Sequence, residues 1–532
     1  MLVWNEPKMD WQPPDGVSDE DFNRIETNIA ILDQSQASIN VKRYGAVGDG
    51  SVENESPAIQ AALDAGAGKE IFIPDGEYKL QDRLFIRSGT RLRLGTNARM
   101  VRNSNSLDTL LLFWDGGEPT GYNGVSNILV EGGIWDVNGS SFPNECNGMA
   151  MAHAENIIVK DIKVYDIPEW HGLEINSSRN VKVLNCVFDG LTVTGDDRRS
   201  EMLQIDGAFS FEHFPFFGSF DNTMSRDVII QGCTFKNSDD RALGSHAAVA
   251  GRRHENIRIV GNNFENLGNQ AIRGYDWQNV SVSSNTIQNV GSGIECRAEE
   301  NNLQGWSIVS NTINTTTSDI GHGIFFTQAD THQISNVSVI GNELIDCNDE
   351  SFYGRYLYQT TISGNTIRNG SSDGILLRDA GNSVSIIGNT IHNPGKHGIL
   401  IYQGLIRVNI TGNTISSPAE HGIDIDNSSY CTVTGNIVYL AGTYGIFFTN
   451  STHEGLINGN EVIGVSTGSD LIRLSDEVSN VHVVGNICRF GGSPAIYVTQ
   501  TCSYCYVTSN YARSMDIVVN SATSREENNW SN

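Results

Sequence analysis

Between Glu174 and Arg297 this chain gathers side chains able to move protons or hold charged sugars: Glu174, Asp206, Asp239, Asp240, His246, Arg273, Tyr275, Glu295 and Arg297. Paired carboxyl groups suit glycoside hydrolysis. One protonates the leaving oxygen, and the other attacks at about 5 Å separation or activates a water at roughly 6.5 to 9.5 Å. A histidine beside them can orient a carboxylate or share its proton. The same set permits β-elimination, with an arginine neutralising a uronate and Tyr275 or His246 handling the proton.

These residues can act together only if the fold aligns them. From about Cys186 to Asn510 one signature recurs, as in Ser363-Gly364-Asn365-Thr366-Ile367 and Thr411-Gly412-Asn413-Thr414-Ile415. From Asn262 to Asn510 its asparagines lie 23 to 31 residues apart. A period this short, carried by β-branched residues with Gly and Asn at turns, predicts a solenoid whose repeat is one coil of strand. Each signature is followed by a restart such as His171-Gly172-Leu173-Glu174-Ile175-Asn176, where period-two alternation points the second and fourth residues after the glycine out of the coil.

The outward pairs then run Ala150 and Ala152, Glu174 and Asn176, Gln204 and Asp206, Gly244 and His246, Arg273 and Tyr275, and Glu295 and Arg297. Coils stack at about 4.8 Å and strands rise about 3.3 Å per residue, so the Glu174 and Asp206 backbones should lie about 8 Å apart. Glu295, four coils from Glu174 and thus about 19 Å away, cannot be its direct partner. The favoured catalytic pair is Glu174 and Asp206, with Asp239 or Asp240 as substitutes and His246 one coil beyond Asp206. Trp170, Arg273, Tyr275, Glu295, Arg297, Tyr353, Arg355 and Arg378 are candidate substrate contacts. Arg273, Arg297, Arg355 and Arg378 would form a track for uronates or phosphates. Asp424 and Asp426 make a second pair with no evident cluster around them.

Two insertions interrupt the same coils. One, 188–200, contains Asp196-Asp197-Arg198-Arg199; the other, 209–220, holds six phenylalanines. Long loops in a minimal solenoid tend to carry function, and exposed aromatics suit either sugar faces or a neighbouring subunit.

The bulk composition narrows the partners. A net charge of −27 argues against nucleic acid. The nine cysteines, including Cys502 and Cys505, read as small buried hydrophobes; no second Cys pair or His spacing supports a metal site, and no cofactor is expected. The first residues lack a basic region followed by an apolar run, and no apolar stretch reaches membrane-spanning length. The expectation is synthesis in a bacterial cytoplasm, with release by lysis or on a particle. Ser18 can cap a helix carrying Phe22, Ile25, Ile29 and Leu32.

Tyr44-Gly45-Ala46-Val47-Gly48-Asp49-Gly50, a helix over 56–65 and Ile73-Pro74-Asp75-Gly76-Glu77-Tyr78 follow in that order. This opening resembles that of pectate-lyase-like right-handed parallel β-helix proteins, notably tailspike and appendage proteins of bacterial viruses. Residues 10–15 and 19–26 are similar to N-terminal segments of tail proteins from viruses of Gram-positive bacteria. The resemblance implies an all-β solenoid, a bacterial surface polysaccharide as partner (capsule, exopolysaccharide or teichoic acid), a homotrimer and attachment to a virion tail. The implied organisation is an attachment segment over 1–40, the β-helix with its groove over 41–515, and a tail over 516–532. Hydrolysis is the favoured reading; a uronate lyase and a non-cleaving receptor-binding spike remain open.

Overall fold

A computed structural model describes residues 18–35, 38–194, 200–210, 218–315, 321–466, 468–491 and 494–531. Asp196 to Arg199, the phenylalanines at 211, 214, 216 and 217, and the first seventeen residues lie outside the described residues. The rest confirms the expected right-handed parallel β-helix. Every paired strand is parallel, and each coil contributes up to three short strands.

One face runs from Ser38–Asn40 to Arg525–Glu527 as a twenty-stranded sheet. The second carries the Asn-Thr-Ile strands, such as Thr366–Arg368, and the third carries the restart strands, such as Leu173–Asn176. These two faces join because Asn263–Tyr275 and Thr286–Ala298 each run unbroken around the corner between them. Inward residues are apolar and interlock coil on coil: the rings of Phe188, Phe235 and Phe264 stack with centroids 5.0 Å apart at each step.

The signature's asparagines form the turn between the first and second faces. The residue before each sits in the left-handed region, with φ of 61° at Gly364 and 65° at Gly412, which explains the recurrent glycine. Each amide then bonds to the next coil, as Asn389 Nδ2 does to Asn413 Oδ1 at 2.9 Å, while the Asn389 backbone N–H donates to the same oxygen at 2.9 Å. The ladder runs from Asn262 to Asn529 and satisfies turn groups that would otherwise be buried without partners. Cys186 and Cys233 occupy the start of this column, as expected: the Cys233 N–H donates to Asn262 Oδ1. All nine cysteines are buried and free.

Helix Ser56–Ala65 closes the first coil by burying Ile59, Ala62 and Leu63 in the core. The N-terminal helix Asp19–Ser35 has the expected cap, with Asp21 N–H donating to Ser18 Oγ and Ser18 N–H to Asp21 Oδ2. Among the described residues no helix is long and apolar enough to cross a membrane.

Candidate active site

Strand pairing on the third face aligns Ala150, Glu174, Gln204, Gly244, Arg273, Glu295, Phe325, Tyr353 and Leu376 as direct neighbours in one column. Asn176 and Asp206 pair in the next outward column. The coils beginning at Met202 and Ala242, whose alignment the insertions obscure, keep the same register.

Glu174 lies in the strand Leu173–Asn176 and is only 4% exposed. Asn147, one coil below, donates its amide to Glu174 Oε2 at 3.0 Å. Burial pushes the Glu174 carboxyl up to about 8, against the opposing pull of the Asn176 amide and His246. At neutral pH it holds a proton, as a general acid must.

Asp206 lies beside it but is differently engaged. Its Oδ1 accepts from the Gly207 N–H at 3.0 Å, and its Oδ2 accepts from the His246 and Ala247 N–H groups, each at 3.2 Å. Behind it, His254 Nδ1 accepts from the Ser225 N–H, which places the proton of a neutral ring on Nε2, 3.6 Å from Asp206 Oδ1. Asp206 is the last residue of its strand, and its carboxylate holds the turn that follows. Three backbone N–H groups commit its carboxylate to the fold, and another carboxylate stands nearer the His246 ring.

That other carboxylate is Glu201, which the sequence reading missed. It is fully buried, and among the described residues neither of its oxygens has a hydrogen-bond partner. His246 Nδ1 lies 3.5 Å from Oε2 and His171 Nδ1 lies 3.8 Å away. Burial raises the Glu201 carboxyl, but His246, His171 and Arg241 outweigh it and hold the group below its ordinary range. Gly244 makes the room: a Cβ there would stand 3.4 Å from Glu201 Cγ and 2.8 Å from the Arg273 carbonyl. Gln204 reaches across to His246, its Nε2 at 3.3 Å from Nδ1. Two acidic groups with opposed protonation states therefore flank one partly exposed imidazole.

The comparisons agree with this architecture. The family described as right handed beta helix region matches residues 331–415 and 374–530, and that described as rhamnogalacturonase A/epimerase, pectate lyase-like, matches 38–98. The fold is a right-handed parallel β-helix, and the two matches cover its opening coils and its later ones. The β-helix is 28% identical over 293 residues to plasmin and fibronectin-binding protein A of Streptococcus pneumoniae, covering 49% of this chain and 40% of the relative. It is 27% identical over 173 residues to a probable rhamnogalacturonase E of Aspergillus oryzae, covering 30% of this chain and 39% of that one. The match thus spans about 40% of the length of these curated relatives. Among solved structures, the tailspike of E. coli bacteriophage HK620 in complex with a pentasaccharide superposes with a TM-score of 0.52 at 14% identity, over 88% of this chain and 81% of that one. At that identity the likeness establishes the fold alone.

The remaining predicted contacts divide clearly. Asp239 is exposed and accepts from the Val193 N–H, while Asp240 is buried against the Ser200 N–H, the Asn269 amide and Arg241. Neither substitutes for Glu201. Glu295 is satisfied by Gln270, Thr327 and Arg273, the last at 3.3 Å. Arg273 lies over the Tyr275 ring and bonds its hydroxyl. Arg297 pairs with Glu299 at 2.5 Å, and Arg355 and Arg378 share Asp379 at 2.6 and 3.1 Å. The expected cationic track is therefore neutralised by carboxylates of the β-helix itself. Tyr353 stacks on His322 at 5.2 Å, and Trp170 is half-buried next to His171.

A column just before each restart glycine supplies much of what was missed. Asn147, His171, Glu201, Gln270, His322, His397 and His421 occupy it. Side chains there reach the outward residue of the next coil, as Asn147 does to Glu174 and Gln270 to Glu295. The repeated His-Gly pair at 171, 322, 397 and 421 was the available signal. It also overturns the expectation that Asp424 lacks company: His397, His421, Glu420 and Asp373 surround it. Burial pushes the Asp424 carboxyl up to about 7 and the His421 imidazole down to about 4.

Proposed function

We propose that this β-helix binds and hydrolyses a bacterial surface polysaccharide, with Glu174 as general acid and His246, oriented by Glu201, activating the water. The observation that carries the proposal is the Glu174 carboxyl, held protonated by burial one coil from Glu201 and two coils from the His246 imidazole that Glu201 faces. Glu201 lies on the neighbouring coil three residues off the Glu174 register, about 11 Å between backbones, so it serves the His246 ring rather than pairing directly with Glu174. Protein-bound arginines make uronate elimination the weaker reading, since Arg273 already faces Glu295. The rhamnogalacturonase and tailspike likenesses support a sugar-polymer partner. Carriage on a virus tail as a homotrimer, with attachment through residues 1–40, belongs to the same proposal.

A non-cleaving binder is the alternative, favoured by the relative named for binding plasmin and fibronectin. Capsular, exopolysaccharide and teichoic acid polymers incubated with the protein decide between them. One polymer is expected to shorten with new reducing ends and no new ultraviolet-absorbing unsaturation. Unsaturated products would establish a lyase; binding to a polymer without shortening of any would establish a spike that only binds.

A further inference from the structure

On the same face as Glu174 but nine coils further on, about 43 Å along the axis, a second constellation has no part in the proposed hydrolysis. His397, His421 and Asp424 each offer one ligand atom, and these atoms lie within 4.8 Å of one another. His397 Nε2 is 3.7 Å from Asp424 Oδ2 and 3.2 Å from Glu420 Oε2; His421 Nε2 is 3.9 Å from Asp424 Oδ2. Ligands on a tetrahedral zinc, each about 2.0 to 2.1 Å from the ion, stand about 3.3 Å apart. Of the donor pairs, Glu420 and His397 already stand at that spacing, and Asp424 lies 0.4 to 0.6 Å wider from the two imidazoles, a gap that a bound ion would close.

Two features of the cluster suit a bound cation. The Asp424 side chain is only 9% exposed, yet its Oδ1 has no hydrogen-bond partner among the described residues. An oxygen buried in that state costs free energy unless something positive meets it. His397 is also held as metal-binding histidines are: Nδ1 lies 2.8 Å from Asp373 Oδ1, which takes the ring proton and turns the Nε2 lone pair towards Asp424 and Glu420. His421 Nδ1 lies 2.5 Å from Thr443 Oγ1 but accepts from the Tyr444 N–H at 3.3 Å, so binding a metal at Nε2 requires the ring proton to move to Nδ1 and be donated to the Thr443 hydroxyl.

We propose that His397, His421 and Asp424, with Glu420 completing the set, form a zinc site on the third face of the β-helix. Two imidazoles with two carboxylates are a donor set that suits zinc better than calcium or magnesium, which take mostly oxygens and a larger shell. The site ties together the corners of two successive coils, since His397 and His421 occupy the same column one coil apart.

The full chain, freed of metal with a chelator and then dialysed, is titrated with zinc against a chromophoric competitor and separately with cobalt. One zinc per chain is expected, unaffected by excess calcium, and cobalt should give the intense visible bands of a four-coordinate site. Asp424→Asn and His397→Gln should each weaken zinc binding at least 100-fold and abolish the cobalt bands, with Asp373→Asn weakening it 10- to 100-fold through loss of the supporting carboxylate. Glu174→Gln should leave binding unchanged. Wild-type chain that takes up no stoichiometric zinc, or Asp424→Asn chain that binds it as tightly as wild type, would overturn the proposal. Should His397→Gln fail to fold, the wild-type cobalt spectrum and the near-isosteric Asp424→Asn variant still decide.

Discussion

Glu174→Gln is expected to abolish polymer cleavage while making the protein more stable in alkaline solution. General acid catalysis contributes about 10²- to 10⁴-fold, and a glutamine cannot donate the proton, so cleavage should fall by that factor with binding retained. The stability change follows from the same carboxyl. Its pKa stands at about 8 in the fold against an ordinary 4.5, so between those values the native state keeps a proton that the unfolded chain releases. Stability contributed by the neutral carboxyl is complete below about 4.5 and is lost as pH rises towards 8. Glutamine does not titrate. The variant's advantage should grow across that window and level off above it, reaching on the order of a few kcal/mol. Thermal melts of both proteins from acid to alkaline buffer read this directly. Curves that stay parallel at every pH would mean that Glu174 is ionised in the fold.

Asp206→Ala should do the opposite, damaging the fold more than the chemistry. It strands three backbone N–H groups, those of Gly207, His246 and Ala247, and leaves buried His254 without the carboxylate it faces. Removing one partner of such a buried, charge-assisted set costs about 3 to 5 kcal/mol. Urea denaturation should show that loss as a lower midpoint with an unchanged slope. Asp206→Asn keeps an acceptor oxygen, so it should fold with a smaller deficit and retain cleavage within about tenfold of wild type. Cleavage abolished in well-folded Asp206→Asn protein would return Asp206 to the catalytic pair.

The contrast between these two carboxylates shows what could be read in the sequence. The asparagine spacing predicts the solenoid, and alternation after each restart glycine places Glu174, Gln204, Arg273 and Glu295 in one column, which the strand register reproduces. Alternation says which way a side chain leaves the strand, but not what it meets at the strand's end. Asp206 ends its strand and turns its carboxylate onto the next loop, while Asp379, just past the strand of Arg378, takes both Arg378 and Arg355 of the preceding coil. Glu201 was hidden for a related reason. It precedes the restart, where strict alternation fails, and follows an insertion that blurs the repeat. His397 and His421 sit in the same pre-restart column, so the surroundings of Asp424 were invisible to a reading of the two outward positions alone.

The measurement closest to the heart of the mechanism needs no substrate. Infrared difference spectra of the wild-type protein minus Glu174→Gln, taken across a pH titration, isolate the protonation state of this one carboxyl. A protonated carboxylic acid band present at neutral pH, giving way to carboxylate with a midpoint near 8, is the predicted result. A carboxylate signature already complete at neutral pH would contradict it, and would remove the proton that the proposed hydrolysis depends on.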